Sequence, residues 1–161
     1  MILYTHKSLQ AKEETMDSEY DENIFVKIVL NSTDCLLIGL LYRSPTERLD
    51  GIDNNGNLNK LIIEASNKKF SHILLMGDIN YPNIDWECYR TNSDSVETAD
   101  YKFLQCIQDN FLYQHVTKTT RFKGNDNPNV LDLIFTNEED MVSDIEYLSL
   151  LCTTLLIQLL H

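Results

Sequence analysis

The sequence predicts a mixed α/β (α+β) chain with a layered core, and three patterns carry that expectation. Two β-branched runs flank a short polar turn, a continuous apolar tetrapeptide lies mid-chain, and two segments repeat apolar residues every three or four positions. Strands interleaved with helices, together with a hairpin, pack as layers of sheet and helix around shared apolar faces.

Residues 24–30 are rich in Ile, Val and Phe and read as a strand, Asn31-Ser32-Thr33-Asp34 is a turn cluster, and residues 35–42 read as a second strand. So short a link predicts an antiparallel hairpin. Arg43-Ser44-Pro45 ends the second strand, because proline cannot donate to a ladder. Residues 50–59 form a Gly/Asn/Asp-rich loop, after which Leu58, Leu61, Ile62 and Ala65 predict a helix over 58–66. Ile73-Leu74-Leu75-Met76 is apolar without alternation, as expected of a strand buried on both faces in mid-sheet. Residues 81–94 are polar and turn-like. Tyr101, Leu104, Ile107 and Phe111 predict a second helix over 97–110. A short strand at 113–116, a polar loop at 117–129, and strands at 130–136, 145–150 and 154–160 complete the chain.

Composition bounds the function. A chain of 161 residues suits one domain over 1–161, and 43% hydrophobic residues with eight Tyr and six Phe are globular rather than disordered. Net charge is -12, whereas modules that coat nucleic acid by charge alone are basic, since phosphate neutralisation drives that binding. A nuclease is not excluded, because its site needs carboxylates to hold a cation. Cys35, Cys88, Cys106 and Cys152 lie far apart with no Cys-x-x-Cys, and Cys35 and Cys106 fall in apolar runs as reduced core thiols would. With no secretory signal, the expected location is intracellular, nuclear or cytoplasmic. The apolar tail at 148–160 is shorter than the roughly 20 residues of a membrane helix, so no membrane partner is expected.

Four short motifs carry chemistry. Gly77-Asp78-Ile79-Asn80 follows the buried run directly. In an extended chain Asp78 and Asn80 would project together, an acid able to orient or deprotonate water beside an amide able to donate to a phosphate oxygen. An ordinary Asp/Asn turn is the alternative. Asp132 lies inside the apolar run Leu131-Asp132-Leu133-Ile134-Phe135. A buried acid needs a partner, and one use is to hold a catalytic imidazole in its tautomer. An edge-strand Asp facing water is the alternative. Tyr42 and Arg43 end a strand with a phenol and a guanidinium, both able to donate to phosphate, or form the rim of a core. Thr120 and Arg121 offer a hydroxyl and a cation in a loop, for phosphate or for solvent.

The order of these motifs is more specific than any one of them. Tyr42-Arg43-Ser44-Pro45, then Gly77-Asp78-Ile79-Asn80-Tyr81-Pro82 with Asp85-Trp86, His115-Val116, Thr120-Arg121-Phe122 and Leu131-Asp132-Leu133-Ile134-Phe135-Thr136-Asn137 follow one another. The series resembles the endonuclease/exonuclease/phosphatase family, and more narrowly the endonuclease domain that precedes the reverse transcriptase in non-LTR retrotransposons of the LINE and jockey-like kind. The resemblance implies a four-layer α/β sandwich, Mg²⁺ or Mn²⁺ as cofactor and DNA as substrate. Residue by residue it implies that Asp78 orients the attacking water, Asn80 contacts the scissile phosphate and Tyr42 stabilises charge on a phosphate oxygen. Thr120 would sit near that phosphate, with Arg121 and Arg43 as further substrate-binding groups, and Asp132 would hold the catalytic histidine.

Two departures qualify the resemblance. The family's opening strand carries an Asn and the next unit a metal-binding Glu; the present chain begins at Met1-Ile2-Leu3-Tyr4, which resembles the stretch after both, and no metal ligand can be assigned. The family closes on Ser-Asp-His, whereas this chain reads Leu151-Cys152-Thr153-Thr154-Leu155; Ser143-Asp144 lies before the expected strand and is followed by Ile145. The expectation is a partial sandwich, missing its first strand and closing catalytic segment, with catalysis impaired. A non-catalytic protein- or DNA-binding module that keeps the sandwich is the competing expectation.

Overall fold

The computed structural model describes residues 1–45, 53–93, 95–118, 130–148 and 154–159. Its main sheet is built from β1 (Lys12–Glu13), β2 (Asn23–Val29), β3 (Cys35–Tyr42), β4 (His72–Asp78), β7 (Tyr113–Gln114) and β8 (Asp132–Thr136), in the order β1-β2-β3-β4-β8-β7. Between β4 and β7 lie a small ladder of β5 (Ile84–Asp85) with β6 (Arg90–Thr91), and helix α2 (Ala99–Asp109). Helix α1 (Asn54–Asn67) joins β3 to β4, and this crossover makes them a parallel pair, whereas β2–β3 and β4–β8 are antiparallel. A second antiparallel sheet holds β9 (Val142–Leu148) and β10 (Thr154–Leu159).

Alternation along the strands divides the apolar residues between two faces. Phe25, Leu37, Leu41, Ile73, Leu75, Leu133 and Phe135 point to the helices, packing on Leu58, Leu61 and Ile62 of α1 and Phe103 and Ile107 of α2. Ile28, Leu36, Leu74 and Ile134 point the other way, against Val116 and Met141, with Val142 and Ile145 of β9 laid on them. The layers are therefore helices, main sheet and second sheet, the mixed α/β arrangement expected.

Several boundaries differ from expectation for local reasons. Helix α1 starts four residues early, inside the stretch expected as loop, because the Asp53 side chain caps it by accepting from Gly56 N at 2.9 Å. Thr98 caps α2 in the same way, its Oγ1 accepting from Tyr101 N at 3.3 Å. The turn-like 81–94 segment hides β5 and β6, too short for a period to register. Ser143-Asp144 lies within β9, not before it. Among the described residues Cys35, Cys88 and Cys106 are free, and burial pushes the Cys106 thiol up to about 12, as an inert core thiol. No helix among the described residues is long and apolar enough to cross a membrane.

Candidate functional site

Parallel β3 and β4 end at the same edge of the sheet, and antiparallel β8 begins there. The register pairs Tyr42 with Asp78, and Asp78 with Asp132. One row in, Leu40 pairs with Met76 and Met76 with Ile134. The phenol and the two acids therefore form one polar rung at the end of an apolar stripe, on the face away from the helices. Strands are spaced about 4.8 Å apart, so the rung spans roughly 10 Å from Tyr42 to Asp132 at the backbone. Asp78 and Asp132 are half-buried, and Tyr42 is 36% exposed.

Gly77 makes this edge possible. Its φ is 150°, and a Cβ there would lie 1.7 Å from the Leu41 carbonyl oxygen, so no other residue lets β4 approach β3 as closely. The chain then leaves the sheet: Ile79 is buried with its N–H donating to Leu131 O at 2.9 Å, and Asn80 takes a left-handed φ of 50°. The alternation that would aim Asp78 and Asn80 alike thus stops at Asp78. Asn80 is only 5% exposed, and its Nδ2 donates to Arg43 O at 2.8 Å.

Arg43 was expected as a group able to donate to phosphate, and its guanidinium is engaged inward. Nη1 donates to the Asn80 carbonyl at 2.6 Å, Nε donates to Asn55 Oδ1 at 2.8 Å, and the guanidinium carbon lies 4.1 Å from the centre of the Tyr81 ring. The Tyr81 hydroxyl donates to the same Asn55 oxygen at 3.1 Å. Burial raises the Tyr81 phenol well above its ordinary value, with Arg43 opposing that rise. Arg43, Asn55 and Tyr81 together clamp the turn that carries Asn80. Thr120 and Arg121 lie outside the described residues.

Sequence reasoning missed the supports of this edge. The buried Tyr20 hydroxyl donates to Tyr42 O at 2.7 Å, and Tyr42 N donates to Glu22 O at 3.1 Å, so the residues ahead of β2 hold the phenol's backbone. Burial raises the Tyr20 phenol strongly, with Glu22 adding to the effect. No local pattern marks Tyr20, Glu22 or Asn55; only the sheet order could have shown them.

The rung does not make a metal site by itself. Among the described residues no three His, Cys, Asp or Glu side chains group closely enough to hold an ion, and the rung offers carboxylates from Asp78 and Asp132 only. Six oxygen ligands in near-octahedral order are what Mg²⁺ demands.

Comparison with known proteins places this geometry in context. A family model described as endonuclease-reverse transcriptase matches residues 36–151. Among solved structures, the endonuclease domain of TRAS1, a telomere-specific non-LTR retrotransposon, superposes with a TM-score of 0.51 at 10% identity, over 78% of this chain and 54% of that one. The inositol polyphosphate 5-phosphatase domain of SpSynaptojanin, solved with inositol (1,4)-bisphosphate and calcium, gives 0.50 at 11% identity, over 87% of this chain and 49% of that one. At such identities the likeness is one of fold, and the chain spans about half the length of these structures. No curated protein matches.

Proposed function

The chain belongs to the endonuclease-reverse transcriptase family, and from that premise we propose that it carries part of a phosphodiester-hydrolysing site whose substrate is DNA. The observation that carries this reading is the rung: Tyr42, Asp78 and Asp132 stand side by side where the parallel strands end, which is where sheets commonly present ligand groups. In the proposed chemistry a water oxygen bonds to phosphorus while the bond from phosphorus to the leaving oxygen breaks. Asp78 orients that water and draws on its proton, and the Tyr42 hydroxyl donates to the phosphate oxygen on which charge grows. Asn80 has two amide hydrogens; one is held by Arg43 O, which leaves the other for the phosphate. Asp132 orients an imidazole supplied from elsewhere in the assembled site, and Thr120 and Arg121 flank the substrate. Arg43 acts through Asn80 rather than on the phosphate.

Mg²⁺ or Mn²⁺ is the cofactor this family reading implies, but no step is derived through it, because the rung's donor set falls short. Because the described residues offer too few metal ligands, we infer that this chain alone does not cut DNA. That shortfall also favours a second reading, a binding module that keeps the fold without the chemistry. Purified protein with supercoiled plasmid and Mg²⁺ or Mn²⁺ should give no nicked circles; nicking abolished by Asp78→Ala would overturn the impairment. Titration with a thymidine dinucleotide, a single phosphodiester, should shift the amide resonances of Tyr42, Ile79, Asn80 and Asp132. If those signals stay still while others move, the binding-module reading replaces the catalytic one.

A further inference from the structure

Tyr42 sits where β3 leaves the sheet, and both of its peptide groups are held by residues ahead of β2. Its N–H donates to Glu22 O at 3.1 Å, and its carbonyl accepts from the Tyr20 hydroxyl at 2.7 Å. On the other side Arg43 N donates to Asp78 O at 2.9 Å. The regular β2–β3 register ends one residue earlier, at Asn23 opposite Leu41. Strand ends fray unless their peptide groups find partners, and here a side chain supplies one.

Tyr20 is itself fixed. It is 1% exposed and lies in the core on the helix side of the sheet. Its N–H donates to Ser18 Oγ at 3.2 Å, and its carbonyl accepts from Asn23 Nδ2. Ser18 Oγ donates in turn to Asn57 O of α1 at 3.3 Å, and Asp17 N donates to the Glu64 carboxylate oxygens at 2.9 and 3.1 Å. Lys68 Nζ adds bonds to Glu14 Oε1 at 3.0 Å and Thr15 O at 2.9 Å. Residues 14–20 are therefore laced along α1, and a continuous run of bonds leads from the helix through Tyr20 to the Tyr42 carbonyl. A carbonyl can only accept, so the single hydroxyl hydrogen of Tyr20 is committed to it. Burial raises the Tyr20 phenol, with Glu22 adding to the rise, so that hydrogen stays in place throughout the neutral range.

The bond satisfies a buried hydroxyl, as any acceptor would. Its second effect depends on whose carbonyl it holds. The Tyr42 hydroxyl is joined to this backbone through a rigid ring. A tilt of roughly 10° at the backbone swings such a hydroxyl by about 1 Å, and displacements of that size are costly at a reacting centre. We propose that Tyr20 is a positioning residue: by holding the Tyr42 carbonyl, its hydroxyl sets where the Tyr42 phenol meets a phosphate oxygen. Being buried, Tyr20 acts only through Tyr42, and it lies ahead of residues 36–151, the part that matches the family. The inference rests on the reading of the rung as a phosphodiester site.

The test is a double-mutant cycle on the whole chain, with the thymidine dinucleotide as ligand and Kd read from the amide shifts of Ile79, Asn80 and Asp132. Tyr42→Phe removes the proposed donor and should weaken binding about fivefold, one hydrogen bond's worth. Tyr20→Phe removes the buried hydroxyl alone. It should weaken binding about threefold in the wild type and leave it unchanged in the Tyr42→Phe chain, where no hydroxyl remains to be misplaced. Equal weakening in both backgrounds would make Tyr20 a general support of the fold and overturn the proposal, as would an unchanged Kd in the wild type. A Tyr42→Phe chain that binds as the wild type does, or amides that stay still with the dinucleotide, would instead bring down the rung reading and this inference with it. Should Tyr20→Phe not fold, Ser18→Ala decides by the same comparison, since it loosens Tyr20 from α1 and keeps both phenols.

Discussion

The two ends of β4 solve the same problem in opposite ways. At its start Asn137 acts as a staple: Oδ1 accepts from Ile73 N at 2.8 Å, Nδ2 donates to Ser71 O at 3.0 Å, and the Asn137 N–H reaches Ile73 O at 3.4 Å. Around it Ser71 Oγ accepts from Cys35 N at 3.3 Å, and His72 Nδ1 lies 2.7 Å from a Glu138 carboxylate oxygen. Donors meet acceptors throughout. At the other end Asp78 stands directly opposite Asp132, acid against acid, with a phenol on the third strand. Like charges opposite one another destabilise a sheet. The first end reads as a fastening, whereas the second gathers two acids and a phenol at a strand terminus, where sheets commonly present ligand groups.

The largest effect is expected from breaking the close approach that sets the rung. Gly77→Ala places a methyl group on the Leu41 carbonyl and forces a side chain into positive φ, so urea unfolding should show a loss of about 3 kcal/mol or more. A loss below about 1 kcal/mol would mean that the β3–β4 edge relaxes easily, and the rung's register would no longer be fixed by the backbone. Next comes the staple. Asn137→Ala leaves Ile73 N and Ser71 O without their partners and should cost about 2 kcal/mol. Asn137→Asp keeps the acceptor for Ile73 N and should lose only part of that.

The rung should respond with the opposite sign. Asp132→Asn removes one of two facing acids at nearly constant volume; if their repulsion outweighs the other contacts of Asp132, unfolding should be unchanged or harder by up to about 1 kcal/mol. A clear destabilisation there would show that Asp132 serves the fold, and the contrast between the ends of β4 would fail.

Much of this contrast was legible before any coordinates. The apolar runs gave β2, β3, β4 and β8 within a residue or two, because burial imposes a period of two or a continuous run. Tyr42, Asp78 and Asp132 each stood out as polar groups at or within apolar strands. Their union did not, since it needs the order β3-β4-β8 and a register that no local pattern encodes. Asn80 departs from the alternation invoked for it because its backbone is left-handed, and the Arg43 carbonyl helps hold that conformation. The inward contacts of Arg43 were not legible because its partners Asn55 and Tyr81 come from distant segments. Asn137 stood out as a motif member, yet nothing in the sequence showed that it ties the start of β4.

The smallest effect concerns pH and extends the stapled end. His115 joins that network through Thr136, and burial holds its imidazole below the ordinary value of 6.5. In the folded chain it therefore binds a proton less readily than in the unfolded chain. Where the unfolded state binds more protons, stability rises with pH. The neutral, hydrogen-bonded ring thus keeps its full contribution above about 6.5 and loses it as pH falls from there through the lowered folded value. Urea midpoints measured between pH 7.5 and 5 should fall for the wild type and fall less for His115→Gln, in proportion to this one group's share. Matching profiles for the two proteins would remove His115 from the stapled network and leave Asn137 as its main fastening.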